Sequence, residues 1–522
     1  MQSNRWTTRR KALTLIIIVL GVPFIASVVL SVYFWRISPF SREWVIQTLE
    51  KRYRCEVELK SFDVSFFPAV SITGEGLVLN RQGLSGPIPL ASIRKFSASG
   101  NWLSLMHPPR HFGRVRLEGL VLVIPPRSNQ AATDEQQRQQ ETSTTTFVLD
   151  EILAADAVLK IVSSNPQKPP HEFDIHRLKM ESVGVGQPMP FQVTLTNPVP
   201  VGQIQSKGLF GPWNSTDPSL TPVSGSYKFT DADLSTIRGL GGILTSLGKY
   251  DGVLGEIKVQ GETDTPDFDL GISGNRVPLK TQFNAVVDGI SGDVLLQRVD
   301  AQLLRSKILA RGRVARVPEG KGRFILLDVT AGPARIEDLL RLALKSSTPS
   351  LTGALTLHTK FDLHPGEEVI AKRLKLDGSF DVESAHFTDH ETEAKITGLS
   401  RRGQGKPGDQ EIQNIPFDLA GRFSLDQSQA KFPKLIFGLP GASLQLQGTF
   451  ELTNQTLDFH GDLRLQAKVS QTTRGIKSLL LKPVDRLFER NGAGTVVPLK
   501  ITGTRASPSF QVEFGKILRR EN

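Results

Sequence analysis

Leu457-Asp-Phe-His-Gly-Asp-Leu-Arg-Leu-Gln-Ala-Lys-Val469 decides the fold class of this chain. Leu457, Phe459, Gly461, Leu463, Leu465, Ala467 and Val469 fall on one side of an extended backbone. Asp458, His460, Asp462, Arg464, Gln466 and Lys468 fall on the other. A helix repeats every 3.6 residues and would scatter these two sets, so strict period two over this length predicts a strand. One dry face and one wet face is the mark of antiparallel sheet. The same period carries Leu444, Leu446, Phe450 and Leu452, then Leu355, Leu357, Phe361 and Leu363, and again Leu374, Leu376, Phe380 and Val382.

Period two governs the chain from Cys55 onward, with a few helices among the strands. Ser38-Pro39 reads as a helix start, with Pro at the first helical position, and Trp44, Val45, Leu49 and Tyr53 follow at helical spacing up to Arg54. Ile336, Leu339, Leu340, Ala343 and Leu344 form a helical stripe. Ile476, Leu479, Leu480, Val484, Leu487 and Phe488 form another, bent near Pro483. Leu234 to Leu247 is a weaker, glycine-interrupted helical pattern, and it absorbs a near-miss phosphate loop at Gly242–Lys249. Residues 125–146 lack apolar content and read as a flexible linker or long loop, and 163–171 and 401–411 as shorter loops. Ile257–Leu270 echoes Leu499–Val512: Lys, Gly, Pro and Phe coincide, and the shared unit reads strand, Gly-bounded turn with Pro, strand.

The chain has 522 residues, and this length corresponds to about three or four domains of ordinary size. It is 39% hydrophobic and 22% charged, which excludes both a wholly disordered chain and a polytopic membrane protein. The single Cys55 excludes an intramolecular disulfide, a cysteine zinc finger and an iron–sulfur cluster. The aromatics are lopsided, with 28 Phe against 4 Tyr and 5 Trp. Phe has no polar handle and belongs on dry surfaces.

Ala12 to Trp35 contains no charged residue, and about 20 residues suffice for a helix to cross the hydrocarbon core. Tyr33, Phe34 and Trp35 close the run as an interfacial belt, and Arg5, Arg9, Arg10 and Lys11 precede it with no acid. The positive-inside rule keeps that end cytoplasmic and sends the bulk of the chain across. A cleaved signal peptide would have a shorter apolar core and a small-residue cleavage site, so the run reads as an uncleaved anchor. The net charge of +11 is therefore partly topological and does not argue for nucleic acid.

Catalytic motifs are scarce. There is no Gly-x-Ser-x-Gly elbow. His386 and His390, with Asp389 and Glu391, form the one metal-like cluster, but strand and turn surround it, so it reads as a solvated loop. His358 and His460 lie on wet faces. Cys55 reads as an unpaired thiol or an interchain pair, and Lys516, Arg519 and Arg520 as a frayed basic end. No catalytic residue, metal or cofactor is expected.

The order of several segments resembles the AsmA family. A basic cap, a span and a short helix lead into Val57-Glu-Leu-Lys-Ser-Phe-Asp-Val-Ser-Phe-Phe-Pro68 and Ile72-Thr-Gly-Glu-Gly-Leu-Val-Leu79. Ile93-Arg-Lys-Phe-Ser-Ala98, Trp102-Leu-Ser-Leu-Met106 and Val115–Ile124 follow. Asp233–Ile237, Gly252–Val259 and Asp288–Asp293 look like further AsmA segments, and Val497–Thr504 with Pro508-Ser-Phe510 is similar to the family's terminal strand motif. The resemblance implies a Gram-negative inner-membrane protein, single-pass, with its N-terminus cytoplasmic and its bulk periplasmic. The family is related to TamB and to chorein-type bridge-like lipid-transfer proteins, which carry phospholipid along a long, curled, apolar-lined β-groove. The expected organisation is a basic tail (1–11), a transmembrane helix (12–35), an N-terminal AsmA-like region (36–124), a linker (125–146), a β-groove region (147–515) and a basic tail (516–522).

The expected fold is therefore mainly β with a few helices: an anchor followed by an elongated, curled antiparallel sheet forming an open groove. Alternation alone equally supports closed β-sandwich units whose dry faces form a core. The expected groove lining is Leu355, Leu357, Phe361, Leu374, Leu376, Phe380, Leu444, Leu446, Phe450, Leu457, Phe459, Leu463 and Leu465. The expected function is non-enzymatic lipid handling in support of envelope and outer-membrane biogenesis, with membrane phospholipids and envelope proteins as partners. The alternative is a membrane-tethered scaffold for envelope assembly partners.

Overall fold

The computed structural model describes residues 41–512 apart from 54, 66–69, 82–88, 90, 101–109, 125–146, 162–170, 185, 215–216, 272, 318–321, 346–347, 367, 369, 408–414, 473–493 and 506. The expected span Ala12–Trp35 with its flanking Arg5, Arg9, Arg10 and Lys11, the 125–146 linker, the Ile476–Phe488 stripe and the C-terminal basic tail lie outside the described residues. Among the described residues no helix is long and apolar enough to cross a membrane.

The fold is mainly β, and the chain divides into two compact units, Met1–Pro198 and Val199–Asn522. In the first, helix α1 (Arg42–Tyr53) precedes β1 (Cys55–Glu58), β2 (Ser61–Ser65), β3 (Val70–Arg81), β4 (Ala91–Gly100), β5 (Arg110–Ile124), β6 (Phe147–Ile161), β7 (His171–Val183) and β8 (Met189–Pro198). Arg42 ties the helix to the sheet by donating to the Leu59 carbonyl at 2.9 and 2.7 Å. β1 and β2 both pair with β3, and neighbours then pair in order through β8. One pair departs from the expected antiparallel sheet: β5 and β6 run parallel, Val115 opposite Ile152. Parallel neighbours need a long crossover, and residues 125–146 supply its length. Cys55 is buried on β1 and its thiol is free. Burial pushes its pKa up.

The second unit holds β9 (Val201–Phe210), β10 (Pro222–Asp233), β11 (Leu240–Gly241), β12 (Ile243–Val253), β13 (Glu256–Leu270), β14 (Val277–Val287), β15 (Val294–Leu303), β16 (Ser306–Arg316), β17 (Arg323–Arg335), β18 (Leu351–Leu363), β19 (Leu374–Phe387), β20 (Phe417–Asp426), β21 (Gln429–Leu439), β22 (Ala442–Glu451), β23 (Thr456–Leu465), β24 (Thr495–Thr504) and β25 (Ser507–Val512). β9 pairs with β10, β10 with β12, and from β12 to β25 each strand pairs antiparallel with its chain neighbour. The two-residue β11 adds to the end of β13. Helices α2 (Ile336–Ala343), α3 (Ile370–Arg373) and α4 (His390–Gly403) lie in the connections.

Several expectations are corrected. In the second unit the sheet is open and uncurled, not the expected curl, and not the closed sandwich either: α2 and α4, rather than a second sheet, cover part of its dry face. The pattern at Leu234–Leu247 is not a helix. A single 3₁₀ turn at Leu234–Thr236, capped by Asp233, ends before Gly239 and Gly242, whose φ of 90° and 110° break helical continuation, and β12 starts at Ile243. The 457–469 alternation is cut short at Leu465, because Gln466 and Ala467 turn their N–H groups onto the Gly441 and Gly403 carbonyls. Leu452 falls just past β22 and is exposed.

The 401–411 loop begins inside α4. Asp389 caps that helix by accepting from the Thr392 hydroxyl at 2.7 Å and the Thr392 N–H at 2.8 Å, which together hold its pKa down. Glu391 and Glu393 sit in the first turn and Arg401 and Arg402 in the last, complementing the helix dipole. The internal echo yields two different structures. Gly503 takes φ 96° inside the β24–β25 hairpin, opposite Pro508 and one residue before the strands' last pair, Thr504 and Ser507. Its counterpart Gly261 stays extended, and β13 runs straight on, slipping register between Thr265 and Phe268 around Pro266.

Candidate functional site

Strand register assembles the dry side of β17–β25 into rows that cross the sheet. One row runs Leu327, Phe361, Leu376, Leu425, Ala430, Phe450, Leu457. The next holds Phe432, Gly448, Phe459, Ile501 and Phe510. A third runs Ala331, Leu357, Phe380, Gly421, Leu435, Leu446, Gly461, Leu499, Val512. A fourth runs Ala334, Leu355, Val382, Leu419, Phe437, Leu444, Leu463, Val497. Leu465 lies beyond it between Ala442 and Thr495, and Leu374 at the opposite end beside Leu363. All thirteen expected lining residues therefore share one face.

That face is filled at one end and open at the other. Leu355, Val382, Ala385, Phe417, Leu439, Ala442 and Leu465 form a core, against which Ile336 and Leu339 of α2 and Ile396 and Leu399 of α4 pack. Phe417, 1% exposed, sits between Phe387 and Phe437 with ring centroids 4.9 and 4.4 Å away. Leu357, Phe380 and Leu463 border this core. Phe361, Leu374, Leu376, Phe450 and Leu457, at the far ends of the same strands, stay half-buried and outside it. At the edge strand β25 every residue is exposed, Phe510 at 65%.

Glycines flatten the face under its rings. A β-carbon on Gly448 would lie 2.8 Å from Cδ1 of Phe459, its direct cross-strand partner. Gly261 stands in the same relation to Phe283, at 2.8 Å, and Gly421 to Phe380, at 3.2 Å. Gly74 and Phe96 repeat the pairing in the first unit. The excess of Phe over Tyr and Trp thus has a geometric counterpart: unsubstituted rings lie flat across glycines on a dry sheet.

α2 is held by a polar network. Asp338 accepts from the Arg305 backbone N–H at 3.0 Å and the Ser306 hydroxyl at 2.9 Å. Glu337 accepts from Arg305 and Arg335, both at 2.9 Å, and from the Gly353 N–H at 3.1 Å. Burial pushes the Glu337 carboxyl up, but its own backbone N–H, Arg335 and Gly353 outweigh that and hold it below the usual range.

Among the described residues no group of three or more His, Cys, Asp or Glu could hold a metal. His386 is the penultimate residue of β19, and His390 opens α4. His386 Nδ1 lies 3.9 Å from Oε1 of the buried Glu393. His460, on the wet face, bonds Gln447 at 2.9 Å, and His358 faces Asp328 at 3.7 Å. A cleft of about 690 Å³ on the wet face of β12–β17 is lined by mixed charges, with Lys280 paired to Asp264 at 3.2 Å and Arg298 to Asp300 at 2.6 Å.

Sequence reading missed Phe417, Leu419 and Leu425 of β20 and Leu435, Phe437 and Leu439 of β21, although they alternate as the chosen strands do. In β21 a bulge between Phe432 and Leu435 breaks the count, whereas β20 alternates without a break. No protein-family model matches this chain, and no curated protein matches it.

Proposed function

We propose that the open part of the dry face carries the acyl chains of a lipid, and that the protein is a membrane-anchored, non-enzymatic lipid handler of the Gram-negative envelope. The observation that carries this reading is the unbroken row Leu327–Phe361–Leu376–Leu425–Ala430–Phe450–Leu457, half-buried except at the buried Leu425 and clear of the helix-filled core. From β17 to β25 the strands span roughly 38 Å at about 4.8 Å per step, longer than the ~15 Å of one bilayer leaflet. An acyl chain on this surface stays out of water at about 0.8 kcal/mol per CH₂. A headgroup stays solvated beyond the sheet edge, and no catalytic group takes part. The AsmA resemblance, with its cytoplasmic N-terminus and periplasmic bulk, supplies the compartment.

The test is photocrosslinking in cells. A photoreactive side chain at Phe361, Leu376 or Leu457 is expected to yield lipid adducts, whereas one at Lys360 or His460 on the wet face yields none. Equal labelling of both faces, or capture of protein alone, rejects lipid handling. A reporter joined after residue 522 is expected to be active only outside the cytoplasm. One observation favours the scaffold reading instead: β25 presents a fully exposed edge that an envelope protein's strand could extend. Capture of protein at Phe510 with no lipid at Phe361 would select that reading.

A further inference from the structure

The dry face changes chemistry toward β9. Where β17–β25 offer Phe and Leu, β9–β14 offer Ser206, Tyr227, Ser246, Tyr250, Thr263 and Thr281 at positions on the same face. Gly225-Ser-Tyr227 on β10 and Gly248-Lys-Tyr250 on β12 run antiparallel in register, so each tyrosine is opposite the other strand's glycine. A β-carbon on Gly248 would lie 2.5 Å from the Tyr227 ring, and one on Gly225 would lie 2.6 Å from the Tyr250 oxygen, so both rings rest across the glycines. Both rings are half-buried, and no charged side chain shares this face of β9, β10 or β12 within the paired positions Ile204–Gly208, Gly225–Phe229 and Ser246–Tyr250.

Proton accounting fixes what the two phenols offer. The Ser206 hydroxyl donates to the Ser226 carbonyl at 3.0 Å, so the Tyr250 hydroxyl donates to Ser206 across their 2.7 Å contact. The Ser246 hydroxyl donates to the Glu262 carbonyl at 3.0 Å, so the Tyr227 hydroxyl donates to Ser246 at 3.1 Å. Burial pushes both phenols up, so their protons stay on. Each tyrosine oxygen then has lone pairs and no proton left for a ligand.

We infer that Tyr227 and Tyr250 form an acceptor-only subsite of the apolar face, which takes the free hydroxyl of a lipid. A carbonyl or phosphate oxygen would find no donor here. An ammonium would be stripped of water with no carboxylate to offset it, whereas a neutral hydroxyl has one proton to give and little hydration to lose. This rests on the lipid reading above and adds to it a chemical preference at a defined place.

The test compares two probes that differ by one hydrogen-bond donor, 1,2-dioleoylglycerol and its 3-O-methyl ether, binding to the full chain in detergent. Wild type is expected to bind the alcohol about fivefold more tightly. Tyr227→Phe with Tyr250→Phe keeps both rings over their glycines. It is expected to abolish the preference while leaving ether affinity unchanged, with an unaltered circular dichroism spectrum. Equal binding of the two probes by wild type overturns the subsite and leaves lipid handling standing. Persistence of the preference in the double variant also overturns it. Binding of neither probe overturns the lipid reading itself.

Discussion

Asp338 and Ser306 meet carboxylate to hydroxyl at 2.9 Å, and both are buried, Asp338 to 2% exposure. This bond, with the Arg305 N–H on the same oxygen, fastens the first turn of α2 to the hairpin between β15 and β16. Asp338→Ala leaves the Arg305 N–H without its acceptor and the Ser306 hydroxyl with only the Arg335 carbonyl, at 3.4 Å. A loss of about 2–3 kcal/mol is expected, read as a lower urea midpoint for the full chain, while Asp338→Asn, which keeps an acceptor, loses less.

Glu337 gives the same helix a pH dependence. Its folded-state pKa is depressed, so its contribution is present above the unfolded carboxyl pKa of about 4.3 and fades as pH falls through the folded value. Thermal melts are expected to lose stability progressively below about pH 4.3. In Glu337→Gln that part of the slope disappears. An identical acid profile in the two proteins would refute the assignment.

The filled and open ends of the dry face should respond differently to truncation. Phe417→Ala empties a site between two other rings and is expected to cost about 3–5 kcal/mol. Phe361→Ala, outside the core, is expected to cost less than about 2 kcal/mol. Matching costs would mean that the open end is packed as tightly as the core.

Gly448 and Phe459 test the glycine floor. Gly448→Ala is expected to destabilise by about 1–3 kcal/mol, because its new methyl meets the ring and the Asp458 carbonyl. In a Phe459→Ala background the cost should fall by at least about 0.5 kcal/mol, the mark of two residues in contact. Strict additivity in a double-mutant cycle would contradict the pairing.

Much of the fold was legible in the sequence, for a physical reason. A strand with one dry face writes its orientation into every second residue, so β18, β19, β22 and β23 could be read directly, and the helical stripe at Ile336 marked α2. Other features depend on partners. No single strand records that β5 and β6 run parallel, that α4 shields one end of the face, or that Tyr227 lies opposite Gly248. α4 did leave a signal, the Asp389 cap with acids before and bases after, but its apolar stripe is thin. Whether alternating strands curl, close or stay open is set by twist and by what packs on them, and neither is written in alternation.

From β14 to β25 each strand pairs, among the described residues, only with the strands before and after it in the chain. Such an array is close to one-dimensional. Removing or duplicating one hairpin would shorten or lengthen it by two steps, about 10 Å, and rejoin like ends without disturbing distant strands. Each hairpin can also form as soon as its second strand has been synthesised, with no wait for residues still to come. Reach along the sheet is thus set by hairpin number, a quantity that duplication can change in whole units.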